Sequence, residues 1–447
     1  MGPAAGAPEE IDPMTSQKHR KARIRERMAR TGERYTTARR HLVGTDAPSP
    51  ADDRGYVLRG GVHPDTAALA HVLAHGGAEL SEAMVLGIGG GLGAGYILWE
   101  FEKHDAADLV LGFRREWQYP GRWAMRVLDR LGVPARLHET SGPRAAAAHL
   151  EEALAAGTPP LTWIDRQVAG WWHLPAYLEC HGGYPVVTYA LAGDRVFVDD
   201  RTLAPLSIAR DRLAAARARV PSYKHRLIVP EPTGALDERT VGRAVLAGLH
   251  DQVEHLSQRS DSFSLPAWRK WARMLTDTHN DKAWPRVFAQ RPGLVSALLS
   301  IFEGIEPLGT FGGHLRRLYA DFLADAAVVL EASPLRERAE DWRVIAAQWH
   351  GAADAALPLD VPAFAALRDA LAGVYEPVVS DGDAGWEESS RAAERLWELQ
   401  AELDAALPLE AGAVDSLLAD LARRVNVLFT AESEAIARLR GALVRVA

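Results

Sequence analysis

The chain of 447 residues carries 51 Lys and Arg against 59 Asp and Glu, a net charge of −8, with 47% hydrophobic and 25% charged residues. That is the balance of an ordinary globular protein, and because a single core stops growing near ~250 residues, two or three domains are expected. Its one cysteine, Cys180, excludes a disulfide framework and any zinc site built on cysteines. No run approaches twenty apolar residues and no signal peptide is evident, so a cytoplasmic protein without membrane contact is expected.

Residues 1–13 are rich in Ala, Pro and Gly, show no apolar period and are expected to carry no fold. The block that follows, "SQKHRKARIRERMARTGERYTTARRHL", holds ten basic residues against two acidic ones. Such a block can bind nucleic acid or an acidic protein surface. The simpler reading is a solvated amphipathic helix that lays Ile24, Met28 and Tyr35 on the body. "HPDTAALAHVLAHGG" reads as a helix capped at Asp65 or Thr66 and ended by Gly76-Gly77.

"LSEAMVLGIGGGLGAGYILWEF" places six glycines within nine positions. Ser81 reads as the cap of a short helix, and Tyr96 to Phe101 alternate like a strand. The order helix, glycines, strand is the reverse of the dinucleotide fingerprint, and no Lys followed by Ser or Thr closes a P-loop. No cofactor phosphate is expected here. Glycine at these positions instead permits positive φ or close approach of another segment or a substrate, which makes Gly89, Gly90 and Gly91 candidates for substrate contact.

Further along, "DLVLGF" reads as a strand, "GRWAMRVLDRLG" and "GPRAAAAHLEEALAAG" as helices, and "PLTWID", "YPVVTYAL" and "DRVFVDD" as strands, the last two forming a hairpin. A helix "IARDRLAAARARV" and a strand "HRLIVP" follow. After the Pro/Gly-containing junction "PEPTGALDERT", helical period recurs at 238–258, 264–276, 293–304, 312–331, 333–356, 361–373, 387–405 and 411–442. The organisation expected is a leader and basic helical arm at 1–40, an α+β domain at 41–230 and an all-α domain at 231–447.

Reactive side chains cluster at His63-Pro64-Asp65-Thr66, at Glu82 beside the glycines, at Asp165-Arg166, at Asp199-Asp200-Arg201 and at Lys224-His225-Arg226. Strand ends and helix starts hold such groups rigidly while their heads meet a cleft. Glu82, Asp165, Arg166 and Lys224 join the three glycines as expected substrate contacts. The alternative is a set of caps and surface ion pairs. Neither a metal nor a cofactor is expected.

The order of these features resembles the BtrH-type N-terminal domain, named for the butirosin biosynthetic acyltransferase, followed by its uncharacterised helical companion domain. The residues that carry the likeness are "GVHPDTAALAHVLAH", "LSEAMVLGIGGGLGAGY", "VVTYALAGDRVFVDDRT" and "SYKHRLIV", then "WRKWARMLTD", "DKAWPRVF" and "GGHLRRLYADFLADAA". It spans about residues 40–350. The resemblance implies a papain-like mixed domain in which a Cys at the first helix start takes an acyl group from a carrier thioester and passes it to an amine. A His on a later strand and an acidic or amide residue on the next complete that site.

Two of these positions differ here. The nucleophile's position holds Pro64, and Tyr184 stands where the His is expected, while Asp200 remains as the third member. Thiolate chemistry needs both a Cys and a base, and Cys180, next to His181, lies far along the chain from the helix start. Three readings stay open. Thr66 could act as a hydroxyl nucleophile with His63 as base. His63, Asp65 and Tyr184 could position an amine and an activated acyl group without a covalent intermediate. Or the fold could persist as a catalytically inactive binding or regulatory protein. The expected catalytic set is therefore His63, Asp65, Thr66, Tyr184 and Asp200, and the expected partners are a small-molecule substrate and an acyl carrier protein. Nucleic acid is not the expected partner, and a homo-oligomer is left open.

Overall fold

The computed structural model describes residues 54–104, 106–289, 293–306 and 315–445; the leader and basic helical arm expected at 1–40 lie outside them. Helix α1 (Pro64–His75) is followed by the short α2 (Glu82–Ile88), capped as expected by Ser81, whose hydroxyl accepts the Met84 N–H at 3.1 Å. Strands β1 (Tyr96–Phe101) and β2 (Ala106–Leu111) form an antiparallel ribbon. Helix α3 (Pro120–Arg130), strand β3 (Ala135–His138), helix α4 (Pro143–Ala155), strand β4 (Leu161–Asp165) and the single turn α5 (Arg166–Ala169) come next. The hairpin β5 (Gly183–Ala192) and β6 (Arg195–Asp199), strand β7 (Leu206–Ala209), helix α6 (Arg210–Ala218) and strand β8 (Leu227–Pro230) complete the mixed region.

Six of these strands form one antiparallel sheet in the order β3-β8-β4-β5-β6-β7. The interior strand β4 is buried along its whole length, and its Thr162 satisfies its hydroxyl against Thr188 of β5 at 2.8 Å. Helix α1 packs across β5. Two local expectations differ. Ile208 and Ala209, read as the start of a helix, end β7, because Ile208 pairs with Val196 and extends the sheet. Strand β3 is only four residues long, "ARLH", too short for an apolar alternation to register.

After Pro230 the described chain is helical: α7 (Glu238–Leu256), α8 (Pro266–Met274), α9 (Trp284–Val287), α10 (Leu294–Ile305), α11 (Leu315–Val329), α12 (Pro334–Ala356), α13 (Pro362–Asp381), α14 (Trp386–Ala405) and α15 (Ala411–Leu443). A mixed α/β region with an antiparallel sheet thus precedes a largely helical one. No helix among the described residues is long and apolar enough to cross a membrane. Helix α13 runs past Pro377, beyond its expected end at 373.

The glycine run joins the two regions. A Cβ on Gly87 would lie 2.1 Å from the Phe322 ring of α11, and one on Gly248 of α7 would lie 2.1 Å from the Gly87 carbonyl oxygen. Side chains at either position would push the helices apart. Gly90 and Gly91 take φ of +95° and +69°, which turns the chain out of α2. The Leu92 N–H then donates to the Gln252 side chain of α7. Sheet and helices accordingly form one compact unit over Ser49–Ala447.

One polar tie between these regions is fully buried. Arg316 of α11 meets Glu432 of α15 in a two-pronged ion pair at 2.7 and 2.9 Å, with side chains 1% and 0% exposed. The same guanidinium donates to the carbonyls of Gly93 at 3.0 Å and Phe113 at 3.2 Å, both in the mixed region. Trp268 of α8 and Trp349 of α12 donate their indole N–H groups to Glu432 at 3.0 and 2.8 Å. The rings of Phe113, Trp268 and Trp349 surround the guanidinium at 4.8 to 5.6 Å. With every charge partnered, the pair is tolerated in a dry core; removing one partner leaves the other charge buried alone. Glu432→Ala is expected to lower unfolding stability by about 3–5 kcal/mol in denaturant melts, and an unchanged midpoint would show that the pair carries no such weight.

A second buried tie fixes α1 to β6. His71 Nδ1 lies 2.7 Å from Asp199 Oδ2, which also accepts the Tyr56 hydroxyl at 2.8 Å. Burial alone would pull the His71 imidazole down, but the Asp199 carboxylate outweighs it and holds the group above its ordinary 6.5. A folded-state value above the unfolded one stabilises the fold below about pH 6.5, and that contribution is lost as pH rises through the folded pKa. Ring-proton NMR should place the His71 titration above 6.5 and Asp199→Asn should move it down; a wild-type titration below 6.5 would contradict the pairing.

Candidate functional site

The starts of α1, α3 and β5 open on one cavity of about 840 Å³. His63, Pro64 and Asp65 form one side of it, and His181 to Tyr184 form another. Residues Trp117 to Arg122, Tyr223 and Arg226 close more of the wall, and Trp99 reaches it from β1. The volume lies within the range of small-molecule sites.

His63 precedes Pro64, the first residue of α1, and its side chain makes no cap hydrogen bond. The cap comes instead from Glu82 at the start of α2. Its carboxylate accepts the backbone N–H groups of Val62 at 3.0 Å and His63 at 2.9 Å, and the Thr66 hydroxyl at 2.7 Å. Glu82 thereby brackets the turn into α1. Thr66 is fully buried, and its proton is engaged with that carboxylate.

Asp65 accepts from the buried Arg114 at 3.2 Å, and His63 Nε2 stands 3.8 Å from the same carboxylate oxygen. Arg114 lies over the Trp123 ring at 4.4 Å. Burial, then the guanidinium groups of Arg114 and Arg201, push the His63 imidazole well below 6.5. It is therefore neutral at neutral pH. Burial also raises the Asp65 carboxyl above its ordinary value, with Arg114 and then Arg201 opposing it. Among the described residues, His63 Nδ1 and Asp65 Oδ1 have no hydrogen-bond partner.

Opposite them, Tyr184 donates its hydroxyl to Asp200 Oδ2, and the same oxygen accepts the indole N–H groups of Trp171 at 2.9 Å and Trp172 at 2.8 Å. Arg201 Nε donates to Asp200 Oδ1 at 3.2 Å, and Trp172 Nε1 also lies 2.6 Å from the Tyr184 hydroxyl. Burial first and then the Asp200 carboxylate hold the Tyr184 phenol well above 10, so it remains protonated. Tyr184 is a fixed donor and not a base.

The structure thus brings His63, Asp65 and Tyr184 to facing sides of one cavity. Thr66 and Asp200 stand behind it, each satisfied by buried partners. The residues expected to contact substrate are placed elsewhere. Glu82 brackets the turn. Gly89, Gly90 and Gly91 pack on Trp123, Arg115 and Gln252 respectively. Asp165 caps α5 by accepting from Val168 N–H at 2.9 Å, and also holds the Cys180 N–H at 2.8 Å. Arg166 lines a separate space of about 40 Å³ beside Asp108. Lys224 is exposed and off the cavity wall, in a left-handed turn at φ +47°. Cys180 is also off that wall, its thiol 3.5 Å from the Arg219 carbonyl, although the neighbouring His181 lines it.

Sequence reasoning missed Arg114, Trp171, Trp172, Trp117 and Arg122. The strings "GFRREWQYPGR" and "GWWHL" contain them, but arginine and tryptophan without a spacing rule carry no chemical signature. Among the described residues, no group of three or more His, Cys, Asp or Glu side chains is placed to hold a metal.

Two stretches of the chain match known families. Residues 63–201 match the family described as butirosin biosynthesis protein H, N-terminal, and residues 212–375 match a domain of unknown function, DUF4872. No curated protein matches the chain. The first match opens at His63, on the cavity, and closes at Arg201, on the Asp200 carboxylate. The second begins before β8, so the central sheet takes β3 to β6 from the first matched segment and β8 from the second. The chain therefore carries a BtrH N-terminal domain, of a family linked to butirosin biosynthesis, followed by a DUF4872 domain.

Proposed function

We propose that the protein forms an amide in natural-product metabolism, transferring an acyl group from an activated thioester to an amine within this cavity, without an acyl-enzyme. The observation that carries this reading is the shared cavity of His63, Asp65 and Tyr184, in a site whose expected nucleophile position is Pro64. The helix start facing a paired strand corresponds to the papain-like frame that the family resemblance implies. Thr66 has its hydroxyl bound to Glu82, and the Cys180 thiol is off the cavity wall. Direct attack by the amine is the route these placements favour.

In that step the amine nitrogen bonds to the thioester carbonyl carbon, and the carbon–sulfur bond breaks. His63, neutral for the reasons above, accepts the proton that the attacking nitrogen loses. Its depressed basicity then favours return of that proton to the departing thiolate, which leaves as a thiol. Tyr184 is held rigid by Asp200 as part of the wall. An acidic carrier protein presenting the thioester is the partner this reading favours.

A second reading, a binding or regulatory protein, is favoured by one observation: Asp200 is committed to two tryptophans, Tyr184 and Arg201, a lock with no group left to activate. Incubation with acyl N-acetylcysteamine thioesters and an amine panel separates the two. Amide product is expected, with intact-mass spectra free of an acylated protein. His63→Ala should lower turnover at least about 100-fold, while Cys180→Ser leaves it unchanged. A stable acyl adduct would overturn the direct route, and ligand binding without product across the panel would leave the binding reading.

A further inference from the structure

The wall away from His63 says what kind of body the cavity accepts. Trp99, Trp117, Tyr119, Leu137 and Tyr223 line it, and Tyr119 and Leu137 remain 50% and 47% exposed. Rings and an aliphatic chain left uncovered in a concavity are poorly matched to a polyhydroxylated ligand. Each hydroxyl of such a ligand would lose water there and find few donors or acceptors in return. A flat apolar body instead removes both its own surface and these side chains from water.

The charges on the wall are otherwise paired. Asp65 is held by Arg114 at 3.2 Å, and Glu139 by Arg226 at 2.8 Å. Arg122 is different: it is exposed, its guanidinium lies over the Tyr119 ring at 4.6 Å, and among the described residues it has no carboxylate partner. It stands in the first turn of α3, a turn without acidic residues, so the helix end adds field of the same sign. The wall therefore carries one uncompensated positive charge beside an aromatic surface.

We infer that the cavity selects a planar, aryl-bearing molecule with a single anionic end, the ring lying against Trp99, Trp117 and Tyr223 and the anion meeting Arg122. This rests on the cavity being the substrate site, and it specifies the chemical class that the site takes. The aryl acid is held as a whole by non-covalent contacts, so no bond changes in the selection step.

Calorimetric titration with three probes tests it: indole-3-propionate, tryptamine, which has the same ring and the opposite charge, and glucosamine, a polar amine. Indole-3-propionate should bind at least tenfold more tightly than either of the others. Arg122→Gln, at an exposed position, should keep the melting temperature and reduce the preference for the acid over tryptamine at least fivefold. Trp99→Ala should weaken both indoles together. Glucosamine binding as tightly as the aryl acid, no saturable binding of the acid, or an acid preference that survives Arg122→Gln would each overturn the inference. Aryl-acid binding without amide formation would sink the proposed reaction alone. Amide formation without this preference would sink the ligand class alone.

Discussion

A buried arginine and glutamate, Arg316 and Glu432, set the terms for the rest of the molecule. Each ion would cost several kcal/mol to take out of water, and their mutual attraction offsets that cost only when the remaining hydrogen-bonding positions are also filled. Here they are filled by two tryptophan N–H groups on the glutamate and by two carbonyls on the arginine. Those carbonyls belong to Gly93 and Phe113, which flank the β1–β2 ribbon. The helical region therefore cannot satisfy its own core charge without the mixed region, and the described residues of both belong to one compact unit.

The cavity inherits its rigidity from this junction. Arg114 follows Phe113 directly, so the carbonyl that receives Arg316 sits one residue from the guanidinium that holds Asp65. On the other side of Asp65, Glu82 ties the turn before α1 to α2, and α2 is pressed against α7 and α11 through Gly87. The start of α1 is consequently held by contacts that reach into the helical region. Two family matches divide these elements between them, yet the contacts that place His63 come from both sides of the division.

Much of the fold was legible because its elements are long and periodic. The helices after Pro230, apart from the unexpected single turn α9, follow apolar spacings bounded by Pro, Gly and Asp, and the strands β4, β5 and β6 are largely apolar runs. The failures were short or context-dependent: β3 has four residues, and Ile208 became strand because a neighbouring strand offered it a partner. For the site, the sequence named His63, Asp65 and Tyr184 through the family likeness. It could not show that Glu82 and Thr66 would bond to each other, since that contact joins two helix starts in space. The glycines were read as conformational and close-packing residues, which their φ values and close approaches bear out, and three of them as substrate contacts, whereas Gly89, Gly90 and Gly91 pack off the cavity. Gly87 and Gly91 approach helices of the helical region, and Gly90, Gly93 and Gly95 approach the segment 114–117, which no local pattern encodes.

Pro64 links these observations. Proline suits the first position of a helix because its missing N–H would have no intrahelical partner there, and its fixed φ matches the helix. Where the family resemblance implies a reactive thiol, Pro64 keeps the geometry of the start of α1 and offers no nucleophile. What remains around it is a neutral imidazole, an arginine-held carboxylate and a phenol locked to Asp200, all built into a packed frame. Such a wall can orient a ligand and accept a proton, but it has no thiol at the helix start to carry an acyl group. On the proposed reading, the chemistry left to the cavity is that of two bound molecules held against each other, with the aromatic wall and Arg122 selecting between candidate ligands.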